Sequence, residues 1–187
     1  VYSVLNPVKI TIHMIMALII VAVLLYILDK AKAAKLNLFR QDRPFRIFLI
    51  VSLLLTLLQV ALGTQVRQFV DEQVKLLGYE NIGLVMQSPQ TSFYIHRTFS
   101  FLVFFINLWL YLRNRRMGLG YKKTGWVMLL LLIEIVSGIA MYYVDFPFGS
   151  QSAHLAGASI LFGLQFYMIL ESRRSRQDKV ELEGGTA

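Results

Sequence analysis

Residues 91–112 read TSFYIHRTFSFLVFFINLWLYL, and apart from His96 and Arg97 near the start the run is close to pure hydrocarbon in character. A run of this kind, about 20 residues long, is what an α-helix needs to cross a bilayer, and it is too long for a buried strand. Four more stretches share that length and character, so we expect membrane spans at roughly 8–28, 45–64, 93–112, 125–144 and 152–170. Pro7, Pro44 and Pro147 fall at or just outside segment ends, where proline is tolerated.

Composition agrees with a membrane chain. Over 187 residues it is 56% hydrophobic with 16% charged residues, and the mean hydropathy is +0.57. Soluble domains carry about 25% charge. The formal charge of +8 could point to nucleic acid, but its placement argues for topology instead. Lys30, Lys32, Lys35, Arg40, Arg43 and Arg46 follow the first span. Arg113, Arg115, Arg116, Lys122 and Lys123 follow the third, and Arg173, Arg174, Arg176 and Lys179 follow the fifth. The remaining basic residues, Lys9, Arg67, Lys75 and Arg97, stand among acidic ones on the opposite side. The positive-inside rule then puts the N-terminus outside and the C-terminus in the cytoplasm of a cell (inner) membrane protein, with lipid and not nucleic acid as its surroundings. No cysteine is present, which excludes disulfides, thiolate metal sites and cysteine nucleophiles. The residues ahead of the first apolar run do not lead us to expect a signal peptide.

With that orientation, spans one, three and five run the same way, and each carries a histidine near its start. These are His13 (PVKITIHMIMALIIVAVLLYIL, 7–28), His96, and His154 (SQSAHLAGASILFGLQFYMIL, 150–170). All three imidazoles are therefore expected at similar depth in the outer leaflet. A single histidine in a membrane helix is often a hydrogen-bonding link between helices, whereas ionisable groups in hydrocarbon mark function by default. Matched depth favours ligation, since neutral imidazole is the commonest protein metal ligand.

Two histidines on neighbouring helices can hold a haem iron from both faces, given an apolar slot and cationic groups for the propionates. Phe99, Phe101, Phe104, Phe105, Phe162 and Phe166 lie near His96 and His154 along their helices, as do the small residues Ala153, Ala156, Gly157 and Ala158. Arg67 and Arg97 lie at the outer boundary, where propionates would emerge. Ordinary helix packing accounts for the phenylalanines and small residues equally well, and the arginines can simply snorkel. A zinc site is disfavoured, because no H-x-x-x-H or H-E-x-x-H pair occurs and no carboxylate adjoins a histidine in sequence. Glu134, in LLLLIEIVSGIAMYY (129–143), is the one carboxylate deep in a span. It sits nearer the middle than the histidines and is not taken as a ligand; proton transfer and a bond to a neighbouring helix both remain open. No phosphate-binding loop or Ser-His-Asp arrangement is visible.

Spans one and five share a layout, with a histidine one turn in, the same direction and a basic inner flank. Spans two to five then form one four-helix unit with histidines on its second and fourth helices. Span one looks like the last helix of a preceding unit, in keeping with a chain that opens on Val1. The expected organisation is a transmembrane helix at 1–29, a basic cytoplasmic loop at 30–44, a haem-binding four-helix membrane bundle at 45–170 and a cytoplasmic tail at 171–187.

The stretches LGTQVRQFVDE (62–72), YIHRTFSFLVFFINLWLYL (94–112) and GIAMYYVDFPFGSQSAHLAGASILFGLQFYMILE (138–171) resemble the C-terminal part of the heme A synthase family, with GTQVR and IHR the most specific. That resemblance implies eight membrane helices in two related halves. The second half binds a b-type haem (heme b) through histidines that fall on His96 and His154. The first half oxidises the methyl group of heme O to the formyl group of heme A, using a histidine pair and a glutamate. Of that pair only the later member has a counterpart here, at His13, as a ligand of a second, substrate haem. The catalytic residues would then lie upstream of Val1. The cysteine pair that some members carry in an outer loop is missing. Two other readings stand beside this one. One is a stand-alone b-type membrane cytochrome for electron transfer, in which a homo-oligomer supplies the partner of His13. The other is a helical scaffold or transporter whose histidines only link helices. The residues name no electron donor or oxidant.

Overall fold

The structure, a computed structural model, describes residues 5–31, 39–85, 89–147 and 149–184, with side chains described to residue 174. Those residues are helical and contain no strand: α1 (Leu5–Ala31), α2 (Arg43–Leu77), a 3-10 turn (Tyr79–Asn81), α3 (Ile82–Val85), α4 (Thr91–Met117), α5 (Lys123–Tyr143) and α6 (Ser150–Gly184). Five of the helices are long and apolar enough to cross a membrane, over Val8–Ala31, Arg43–Leu77, Thr91–Met117, Lys123–Tyr143 and Ser150–Arg174. The chain is thus a multi-pass membrane protein whose described residues form helices and their connections. Lys32 and Lys35 of the basic loop lie outside the described residues.

Helices α2, α4, α5 and α6 form a closed ring, each packed on two neighbours, and α1 lies outside it against α2 and α6. Local chemistry sets the ring's corners. α2 starts where Asp42, in extended conformation, accepts a hydrogen bond from Phe45 N at 2.7 Å, with Pro44 in the first turn. The same carboxylate takes both Nε and Nη2 of Arg113 at 2.9 Å, which ties the end of α4 to the start of α2. α4 stops at Gly118, whose left-handed φ of 59° suits glycine. Asn114 then holds the α4–α5 connection, accepting from Tyr121 N at 3.0 Å and donating to Tyr121 O and Thr124 Oγ1.

Asp42 gives a pH-dependent link. Its hydrogen bonds from Arg113 hold the carboxyl below the ordinary value of 3.8. A folded-state value below the unfolded one contributes stability at neutral pH and loses it as pH falls through the folded value. Asp42→Asn keeps a capping oxygen but loses the charge, so its unfolding in detergent is expected to lose part of the acid dependence below about pH 4. Asp42→Ala, which loses the cap too, is expected to cost about 1 kcal/mol.

The half of the ring near these corners is filled. Phe45, Leu49, Leu110, Leu119, Tyr121, Val127, Met168 and Ile169 belong to one buried cluster there. Within the ring Ser52, Asn107 and Gln165, all buried, join three helices. Ser52 Oγ donates to Asn107 Oδ1 at 2.9 Å, Gln165 Nε2 donates to Ser52 Oγ at 3.0 Å, and Asn107 Nδ2 bonds the Val103 carbonyl at 2.8 Å.

α1 is held by less. Leu18 is buried against Val60 and Phe162, Thr11 Oγ1 meets Thr64 Oγ1 at 2.7 Å, and Arg174 pairs with Asp29. Most of its remaining apolar side chains are exposed, as suits a helix with lipid on one side.

α2 and α6 differ from the expected spans. α2 does not stop near residue 64 but runs to Leu77, so much of the expected outer loop is helix. Val66, Phe69, Val70 and Val74 recur at helical spacing. Phe69 and Val70 are buried, and Val74, with Phe93 and Tyr142 from other helices and Phe146 from the turn after α5, packs against them. Gly78, with φ of 83°, ends the helix. α6 likewise continues past 170, through Gly184. After α5 the chain turns through Asp145 and Phe146, both with positive φ (48° and 53°), which brings Phe146 back toward α2.

Candidate functional site

Away from the filled half, the ring parts around a cavity of about 380 Å³, within the range of small-molecule and cofactor sites. His96 of α4 and His154 of α6 both line it, together with Glu134 and Gly138 of α5 and Thr56, Gln59, Gly63 and Thr64 of α2. The fold therefore brings together two of the three histidines. His13 is exposed and does not line the cavity, although its α1 neighbours Ile10 and Met14 do. Arg67 and Arg97 are exposed and also contribute to the lining, at the end where the two arginines gather. Arg67 lies 3.7 Å from Asp71, a loose surface pair.

The two imidazoles are held differently. Around His154, Ser137 Oγ donates to the Glu134 carbonyl at 2.9 Å and lies 2.7 Å from His154 Nδ1. Glu134 Oε2 lies 2.9 Å from the same Nδ1. Since the hydroxyl proton is directed at the carbonyl, Nδ1 carries the ring proton and is shared by Ser137 and Glu134. Nε2 is then the free acceptor. Space for the carboxylate comes from Gly157, one turn beyond His154, because a Cβ there would overlap Glu134 Oε1. His96 packs on Gly63, where a Cβ would come within 3.2 Å of its Cε1. Gln59 Nε2 donates to the His96 backbone carbonyl at 3.0 Å, but the ring's Nδ1 is buried and has no protein partner. Thr56 Oγ1 and Gln59 Oε1 on the same wall are also buried and unpartnered. Orphaned polar atoms facing one cavity are costly in a folded protein unless something fills it.

The donor set limits what that can be. Among the described residues no group of three or more His, Cys, Asp or Glu is placed to hold a metal ion. Two imidazoles on a largely apolar cavity suit a metal that brings most of its own ligands, which fits a tetrapyrrole better than a bare ion.

Of the six phenylalanines picked from sequence, Phe101 lines the cavity. Phe162 is buried beneath α1 with Phe166 stacked on it, Phe99 and Phe104 pack against the filled core, and Phe105 is exposed. Proximity along a helix did not fix the face. The aromatic wall comes instead from Phe93, Tyr142 and Phe146. Of the small residues, Ala158 lines the cavity and Gly157 admits Glu134, while Ala153 and Ala156 are exposed. Glu134 does bond a neighbouring helix, and its partner is a site histidine. That pairing joins positions on two helices and has no local signature. The α2 wall did have one: Thr56, Gln59, Gly63 and Arg67 recur every three or four residues along a largely apolar stretch.

Fold and site define an all-helical, multi-pass membrane protein with paired imidazoles on an internal cavity. The chain matches the model of the COX15-CtaA family, cytochrome oxidase assembly protein, over residues 1–166. It belongs to that family, the heme A synthase family. Comparison with curated proteins and with solved structures gave no match.

Proposed function

We propose that this chain carries a b-type haem between His96 and His154, as part of a heme A synthase that oxidises heme O to heme A for cytochrome oxidase assembly. The observation that carries the reading is that α4 and α6 present these two histidines to one apolar cavity, with a nitrogen free on each ring. A haem bound there supplies a one-electron iron couple. The chain's own residues hold and shelter it: Phe93, Phe101, Leu131 and Tyr142 exclude water, and Arg67 and Arg97 stand where carboxylate edges would be met. The basic loops favour an external N-terminus and a cytoplasmic C-terminus, which puts the arginine end of the cavity outside. His13 faces away from this cavity, so a second, substrate haem at His13 would need its other ligand from a different helix face.

An optical spectrum of the purified protein, oxidised and dithionite-reduced, tests the reading. Sharp low-spin b-type bands are expected, and folded protein without haem after haem-replete expression would overturn it. A second check is Gly63→Leu, which adds no charge but fills the space beside His96. Haem content is expected to fall by roughly tenfold while the far half of the ring, which Gly63 does not touch, stays folded.

A further inference from the structure

We infer that Glu134 is a positioning residue that, through His154, sets the strength of one axial ligand and leaves the two histidines inequivalent. The inference rests on the haem reading above and adds a role for a carboxylate to which that reading gives none. Glu134 is nearly enclosed, with its side chain 11% exposed, in a helix long and apolar enough to span a membrane. A carboxylate in that setting is costly and calls for a specific partner. Its partner is His154 Nδ1 at 2.9 Å, reinforced by Ser137 Oγ at 2.7 Å. Gly157 keeps the gap through which the carboxylate reaches the ring.

A ligating histidine whose far nitrogen donates to a carboxylate is fixed in tautomer and orientation and becomes a stronger electron donor. His154 has this support, whereas neither ring nitrogen of His96 meets a carboxylate or hydroxyl of the protein. The stronger donation from His154 favours the oxidised iron. Removing it raises the midpoint potential without removing a ligand.

The experiment is a redox titration at one fixed pH, with low-temperature electron paramagnetic resonance of the oxidised haem, on membrane-purified wild type, Glu134→Gln, Glu134→Asp and Gly157→Ala. Glu134→Gln is expected to hold haem about tenfold more weakly, to raise the midpoint and to shift the low-spin g values. Gly157→Ala leaves every polar group in place but evicts the carboxylate, and is expected to move both readouts the same way. Glu134→Asp separates position from charge. One methylene shorter, it groups with Glu134→Gln if reach to Nδ1 matters, and with wild type if charge alone does, which would overturn the inference. Unchanged midpoint and g values in Glu134→Gln and Gly157→Ala would also overturn it. If both variants lose haem, Ser137→Ala, which removes only one of the two acceptors, is expected to give a smaller shift of the same sign; no shift there overturns the inference. Wild type without haem would instead bring down the reading on which it rests.

Discussion

His96→Ala and His154→Ala are each expected to lower the haem content of purified protein to about a tenth or less of wild type. Even the outer partner of a ligating histidine is worth about 10–100-fold in metal affinity, and loss of the ligand itself is the larger perturbation. Neither substitution should unfold the ring. Both side chains line the cavity, and neither belongs to the buried cluster that includes Phe45, Leu49, Val127 and Met168. Haem quantitation beside a thermal-unfolding measurement separates a lost ligand from a lost fold. Haem retained in both variants would end the assignment. His13→Ala is the internal control: exposed and off the cavity lining, it is expected to leave this haem in place.

The second large effect concerns the polar group below the cavity. Asn107→Ala is expected to destabilise the ring by about 2 kcal/mol, since it leaves Ser52 without its acceptor in a buried site and removes one of two acceptors for Gln165 Nε2. For a chain of this size that corresponds to a fall of roughly 4–8 °C in the unfolding midpoint. Replacing all three members together, as Ser52→Ala, Asn107→Leu and Gln165→Leu, is expected to be far milder, because no polar partner is left unsatisfied. Measured in one detergent, the triple variant should unfold at higher temperature than the single one. The reverse order would mean that these bonds add net stability and not merely specificity.

The helices were legible because a membrane span announces itself by length and polarity alone, and the five expected spans fall on α1, α2, α4, α5 and α6. Where α2 ends was not, because hydropathy drops at Arg67 while the helical spacing of Val66, Phe69, Val70 and Val74 continues. Half of a surface helix is polar by nature, and a hydropathy window averages that half with the other. The meeting of His96 with His154 could be anticipated from matched depth on parallel spans. Depth gives height but not azimuth; His13 shares the expected depth, is expected in a separate substrate site, and lies off this cavity. The six phenylalanines show the same blind spot. Glu134 was visible as an oddity, but its partner depends on the packing of α5 on α6, which Gly157 permits and no local pattern encodes.

The length of α2 bears on how a ligand arrives. Its 35 residues span about 52 Å, against a hydrocarbon thickness of about 30 Å. A helix that long cannot be submerged over its whole length, and its amphipathic last turns are built for water on one side. Those turns carry Arg67 and Val70 of the cavity wall. On the haem reading proposed above, the arginine end of the cavity lies where α2 leaves the hydrocarbon, so the ionised edge of a flat apolar ligand would stay at the water boundary.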